Sequence, residues 1–181
     1  MTCAENDLTV MFCLLFGSSP AALGAEDDVE YLTRRVRQRF PDVDIHFRAD
    51  SAFGVPLMFD ACERSRVTYS IGEKMNQVLQ RNSDEVLALA TSQFAATGQP
   101  QRLFTSFDYQ AGSWNAPRFT LVKAEANEEG TNRRAVITNR PGARLLSEAT
   151  YDEYAGPPKR RCPARVRTAI RRSSSISTAD D

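Results

Sequence analysis

Apolar residues recur at spacings of three and four from Val29 through Leu32 and Val36 to Phe40, which predicts a helix over residues 25–39 with one buried face. Glu26, Asp27 and Asp28 fall in its first turn and Arg34, Arg35, Arg37 and Arg39 towards its end, matching the helix dipole, and Pro41 stops it. The period then changes to two. Val43, Ile45 and Phe47 alternate with Asp44, His46 and Arg48, the pattern of a strand with Asp50 at its carboxyl end. Gly54 and Pro56 supply a turn and a first helical residue, so PLMFDACERS reads as a short helix returning to a second strand, VTYSIG. The apolar run LTVMFCLLF, residues 8–16, reads as an earlier buried strand, which completes a β-α-β-α-β core over 8–71 with parallel strands. Asn82 with Glu85 three residues on fits a capping pattern, and the apolar residues that follow predict a helix over 82–98 ended by Gly98. RLFTSFDYQ, RFTLVKAEA and RAVITNR, separated by turn-like AGSWNAP and NEEGTN, predict an antiparallel meander over 101–140. Trp114, at a hairpin end, reads as a packing residue first and a base-stacking residue second.

Composition adds one thing to this α/β picture. With 181 residues, 41% hydrophobic and 25% charged, the chain is an ordinary globular domain of zero formal net charge. The charge is unevenly placed, however. Residues 156–181 hold seven Lys/Arg against two Asp/Glu, leaving residues 1–155 with sixteen against twenty-one. This tail is rich in Arg, Pro and Ser without an apolar period, and disorder is the expectation for it. The arginines of the 25–39 helix are open to two readings, a solvated face or a DNA contact.

Cys3, Cys13, Cys62 and Cys162 lie too far apart for a zinc half-site or redox pair, so reduced thiols are expected. His46, the single histidine, excludes a His-rich metal cluster and reads as structural. LTVMFCLLF is far shorter than the roughly 20 residues of a membrane span. It is preceded by Glu5 and Asp7 without a cation, unlike a secretory signal, so a cytoplasmic protein is expected.

Asp50 is the residue placed for chemistry, because active sites of open α/β sheets lie at the carboxyl ends of parallel strands. Placement alone leaves a second reading, a cap on the following turn. Three stretches favour the first reading. FPDVDIHFRADSAFGVPLMFDACERSRVTYSIG, FDYQAGSWNAPRFTLVKAEANEEGTNRRAVITNRPGARL and YDEYAG together resemble the group-1 DDE-domain transposases of bacterial insertion sequences, over about residues 15–155. Asp50 of RADSAFG matches the second catalytic aspartate of that family, with Ala52 where glycine is usual.

The resemblance implies a partial ribonuclease H-like domain over 1–155, with an antiparallel β-rich insertion. It implies Asp50 as catalytic residue and Mg²⁺ ligand, DNA (the transposon ends) as partner, and DNA strand cleavage and transfer as activity. In such chemistry two Mg²⁺ ions stabilise the entering and leaving oxygens, and three carboxylates hold them. The family's first aspartate belongs upstream of the chain's matching part, and Asp7 does not replace it. The third carboxylate belongs to a Tyr-Arg-Glu-Lys helix motif. Counted from Tyr154, its later places hold Pro157, Arg161 and Thr168, and Pro157-Pro158 opposes the helix. An inactive, frameshifted transposase remnant is therefore expected, with a basic out-of-frame tail from 156. The alternative is a non-catalytic fragment that binds DNA or pairs with an intact transposase as an inhibitor. A third reading is a nuclease using other acids. Missing strands would also leave an unpaired sheet edge.

Overall fold

A computed structural model describes residues 22–156. The expected strand at 8–16 and the tail from 157 lie outside the described residues. Within them the chain forms α1 (Ala25–Arg39), β1 (His46–Ala49), a 3₁₀ turn (Ser51–Phe53), α2 (Pro56–Arg64), β2 (Thr68–Glu73), α3 (Gln77–Arg81), α4 (Asp84–Thr97), β3 (Gln101–Tyr109), β4 (Arg118–Asn127), β5 (Gly130–Thr138) and α5 (Ser147–Ala155).

The five strands make one mixed sheet in the order β1-β2-β5-β4-β3. β1 and β2 are parallel, with α2 as their crossover, and β2-β5, β5-β4 and β4-β3 are antiparallel. The expected meander is thus present, and it is hydrogen-bonded to β2 as a continuation of the parallel pair. Among the described residues the outer edge of β1 has no strand partner.

Side chains alternate across a sheet, so its two faces carry different residues. One face packs on α1, α2 and α3 through Val29, Met58, Phe59, Cys62, Tyr69, Ile71, Leu79, Val122 and Ile137. Met58, Phe59, Ile71, Leu79, Val122 and Ile137 are wholly buried. Trp114 closes the end of this core edge-on to Phe59 and Tyr109, with ring centroids 5.1 and 5.2 Å away, which bears out its reading as a packing residue. Arg118, buried, lies over the Phe59 and Trp114 rings and bridges Asp60 (2.8 Å) and Glu63 (2.9 Å), tying β4 to α2. Among the described residues the opposite face packs only on α5, through Leu121, Val136 and Tyr151 with Phe104 and Tyr154 partly buried against them.

Local expectations need four corrections. α1 buries Val29 and Thr33, while Val36 and Phe40 at its end are exposed, because nine-residue α2 supports only part of a fifteen-residue helix. Arg37 donates to the carbonyls of Ser65 and Arg66, so that arginine ties α1 to the turn after α2. The helix predicted over 82–98 is present as α4, with Ser83 rather than Asn82 at its start, and an unforeseen short helix, α3, precedes it. Asn76 caps α3, its carboxamide oxygen accepting from Val78 and Leu79 N–H at 3.0 Å, whereas Asn82 ends α3 and Ser83 precedes α4. Gly98 does end α4, at φ 65°. Finally, a helix, α5, is present over 147–155, where only the YDEYAG motif had been noted.

Candidate active site

β1 stops at Ala49 and the backbone stays extended through Asp50 (φ −80°, ψ −177°) before turning into Ser51–Phe53. Asp50 therefore follows Arg48 on the same face of the strand, the face under α5. Its Oδ1 accepts the Ala52 N–H at 2.9 Å, so Asp50 does cap the turn that follows it. Capping uses one lone pair of one oxygen, and a carboxylate has about four acceptor positions. The cap and a role at the sheet edge are compatible.

Glycine at position 72, next to this edge on β2, lets two other groups close in. A Cβ at Gly72 would lie 2.6 Å from the Tyr154 hydroxyl, 3.0 Å from Ser51 N and 3.3 Å from the Asp50 carbonyl carbon. The bare strand thus seats the phenol of α5 directly against the turn that carries Asp50. Burial raises the Tyr154 phenol above its ordinary pKa and the Asp50 charge raises it further, while Arg48 and Arg134 pull it down. The structure brings together two residues singled out by sequence, Asp50 and Tyr154. Asp7, Pro157, Arg161 and Thr168 lie outside the described residues.

The end of α5 is fastened to the edge strands. Arg140 forms an ion pair with Glu153, and Arg48 Nη1 donates to the Glu153 carbonyl at 3.3 Å. His46 Nδ1 lies 2.9 Å from Thr68 Oγ1, a contact between β1 and β2. Burial, then Arg140, lower its pKa. Its structural reading is consistent with that position.

One acid at this edge escaped the sequence reading. Glu73, the last residue of β2, sets Oε2 2.9 Å from where a Cβ on Gly54 would be, and this buried oxygen has no hydrogen-bond partner. Burial pushes the carboxyl up to about 7, against the opposing effect of the Lys74 N–H and ammonium. The signal for it is topological: residue 73 on β2 faces the turn after β1 only once the two strands are known to be parallel and in register. Among the described residues, no three His, Cys, Asp or Glu side chains converge on a point that could hold a metal ion.

A family model for the transposase DDE domain, group 1, matches residues 6–161. The chain belongs to that transposase family. The match begins ahead of the apolar run at 8–16 and extends to Arg161, beyond Ala155, where the motif resemblance stops. No curated protein and no solved structure matches the chain. The mixed α/β architecture with a five-stranded sheet is compatible with a DDE transposase domain. Among the described residues no helix is long and apolar enough to cross a membrane.

Proposed function

We propose that this transposase-family chain is a non-catalytic remnant that keeps the Asp50 edge of a ribonuclease H-like strand-transfer site without the carboxylates needed to use it. One observation carries the reading. The groups placed around Asp50 are a phenol, a guanidinium and backbone amides, with no converging acidic set among the described residues.

Phosphodiester cleavage by two hard cations needs several oxygen ligands, because Mg²⁺ demands near-octahedral geometry and its charge must offset that of the scissile phosphate. Asp50 supplies at most two oxygens, one already accepting a backbone N–H. Among the described residues the donor set does not fit a pair of magnesium ions. In the Tyr-Arg-Glu-Lys pattern the glutamate place counted from Tyr154 is Arg161, a cation where a ligand is required. A frameshift near codon 155 explains this together with the basic tail. Restoring the motif by moving the reading frame one base there is the direct genetic check.

The biochemical test is cleavage of end-sequence DNA by the purified chain with Mg²⁺ or Mn²⁺. No cleavage is expected, and Mg²⁺ is expected to bind Asp50→Asn as weakly as the unaltered chain. Metal-dependent cleavage abolished by Asp50→Asn overturns the reading. A retained DNA-binding or transposase-pairing role is the second reading, favoured by the seven cations of residues 156–181.

A further inference from the structure

The cations on the α5 face differ in whether their charge is already matched. Arg102 pairs with Asp152, Arg140 with Glu153 and Lys123 with Glu125. Arg48 and Arg134, both exposed, form no ion pair with a carboxylate among the described residues. Their positions are ordered by the sheet. Arg48 is level with Ser70 and Thr138, Gly72 is level with Val136, and Arg134 is level with Lys123. Gly72 is also the seat of Tyr154 beside Asp50. The two unmatched guanidinium groups therefore stand one row to either side of the row that holds the Asp50 edge. Four residues of strand, about 13 Å, and two strand spacings, about 10 Å, separate their Cα positions, a diagonal of about 16 Å that corresponds to about five nucleotides of axial rise on one DNA strand. The charges of Asp50, Arg48 and Arg134 all bear on the Tyr154 phenol, in keeping with that order.

We infer that Arg48 and Arg134 are strand-holding residues that grip phosphates of a DNA strand on either side of Asp50. This rests on the family's DNA reading and adds to it which side chains touch the backbone. A guanidinium suits the task because its planar fork donates two hydrogen bonds to one phosphate and stays charged at any working pH. The grip needs neither a metal ion nor the missing carboxylates, so it survives in a chain that cannot cleave. Arg102 and Arg140 are excluded by their ion pairs, since a phosphate would have to displace a carboxylate already in contact.

The test is fluorescence anisotropy of a labelled DNA duplex with the full chain over a range of NaCl concentrations, without divalent ions. Arg134→Gln is the principal variant, because the Arg134 side chain is exposed and its loss leaves the fold intact. Arg48→Gln removes a hydrogen bond to α5 as well, so Arg48→Lys accompanies it and a thermal melt checks folding. Loss of one phosphate contact is expected to weaken binding about eightfold at 0.1 M salt and to reduce the slope of log K against log salt by about 0.9. The double variant should lose about twice that slope, and Arg35→Gln on α1, in the opposite layer, should change neither. If the unaltered chain binds DNA and Arg134→Gln and Arg48→Gln bind equally well, the inference is wrong while the DNA reading stands. If the unaltered chain shows no affinity at low salt, both fail.

Discussion

The two faces of the sheet are built on different terms. Among the described residues, thirteen buried side chains form the core on the α1–α3 face and three form the one under α5. The thick face is closed by aromatic packing and by Arg118, whose charge is matched by Asp60 and Glu63. The thin face carries Asp50, Tyr154 and the unmatched Arg48 and Arg134. Burial of apolar area is the main favourable term in folding, so stability belongs chiefly to the first face. The second face is left polar enough to meet a charged partner. Loss of catalysis would therefore leave the fold in place, since the residues that fold the chain are not those that would react.

The widest separation between the faces should appear in core truncations. Phe59→Ala removes a wholly buried ring that touches Tyr69, Trp114 and Arg118, and is expected to destabilise by about 3–5 kcal/mol in urea titration. Tyr151→Ala empties a site bounded by Leu121, Val136, Phe104 and Tyr154 in the smaller of the two clusters, where fewer buried side chains surround it, and about 1–3 kcal/mol is expected. Equal losses would erase the distinction. Next in size is Arg118→Met, which leaves Asp60 and Glu63 without their guanidinium and Tyr69 with a more exposed acceptor. About 1.5–3 kcal/mol is expected, because both carboxylates are partly solvated. A melting temperature unchanged by this substitution would show that the bridge does not hold β4 to α2.

How much of this was legible in sequence depended on the range of the interaction. Period-three-and-four and period-two patterns located α1, β1, α2, β2 and the three strands of the meander, because those patterns record which local face meets a core. They could not show how far a partner extends, and Val36 and Phe40 were assigned to a face that α2 is too short to cover. The helix over 82–98 was read nearly in register, one residue early because Asn82 and Glu85 mimic a capping pair, whereas five-residue α3, capped by Asn76, was too short to show an apolar period. At the site, RADSAFG exposed Asp50 and YDEYAG exposed Tyr154 as separate motifs. Their meeting over Gly72 depends on α5 crossing the sheet, which no local pattern contains. Glu73 stayed hidden because its place against Gly54 depends on the parallel register of β1 and β2.

Gly72 offers a smaller and more local test of the thin face. Gly72→Ala forces a Cβ to within 2.6 Å of the Tyr154 hydroxyl, so α5 or the Ser51 turn must shift, at about 1–3 kcal/mol. Tyr154→Phe removes the oxygen that makes the closest contact. The alanine should therefore be better tolerated in the Tyr154→Phe background, and a double-mutant cycle should return a favourable coupling of about 0.5 kcal/mol or more. Additive losses would mean that the strain lies wholly at Ser51 and that Tyr154 is not seated by Gly72.

Glu73 should give the smallest effect, and one whose sign depends on pH. Its carboxyl is raised to about 7 by burial, whereas in the unfolded chain it titrates near 4.5. Between those values the folded chain holds a proton that the unfolded chain releases, so stability falls as pH rises through this window. Above about 7 the full penalty is present, and below about 4.5 it is absent. Glu73→Gln cannot ionise and keeps the size of the side chain. The substitution should therefore stabilise the chain at pH 8 by about 1 kcal/mol, a fraction of what a fully buried group would give. It should leave stability at pH 4 nearly unchanged. Urea midpoints at the two pH values decide the matter: a Gln variant that is less stable than the parent at pH 8 would mean that the charged form of Glu73 has a favourable partner, and burial would not be what governs this carboxyl.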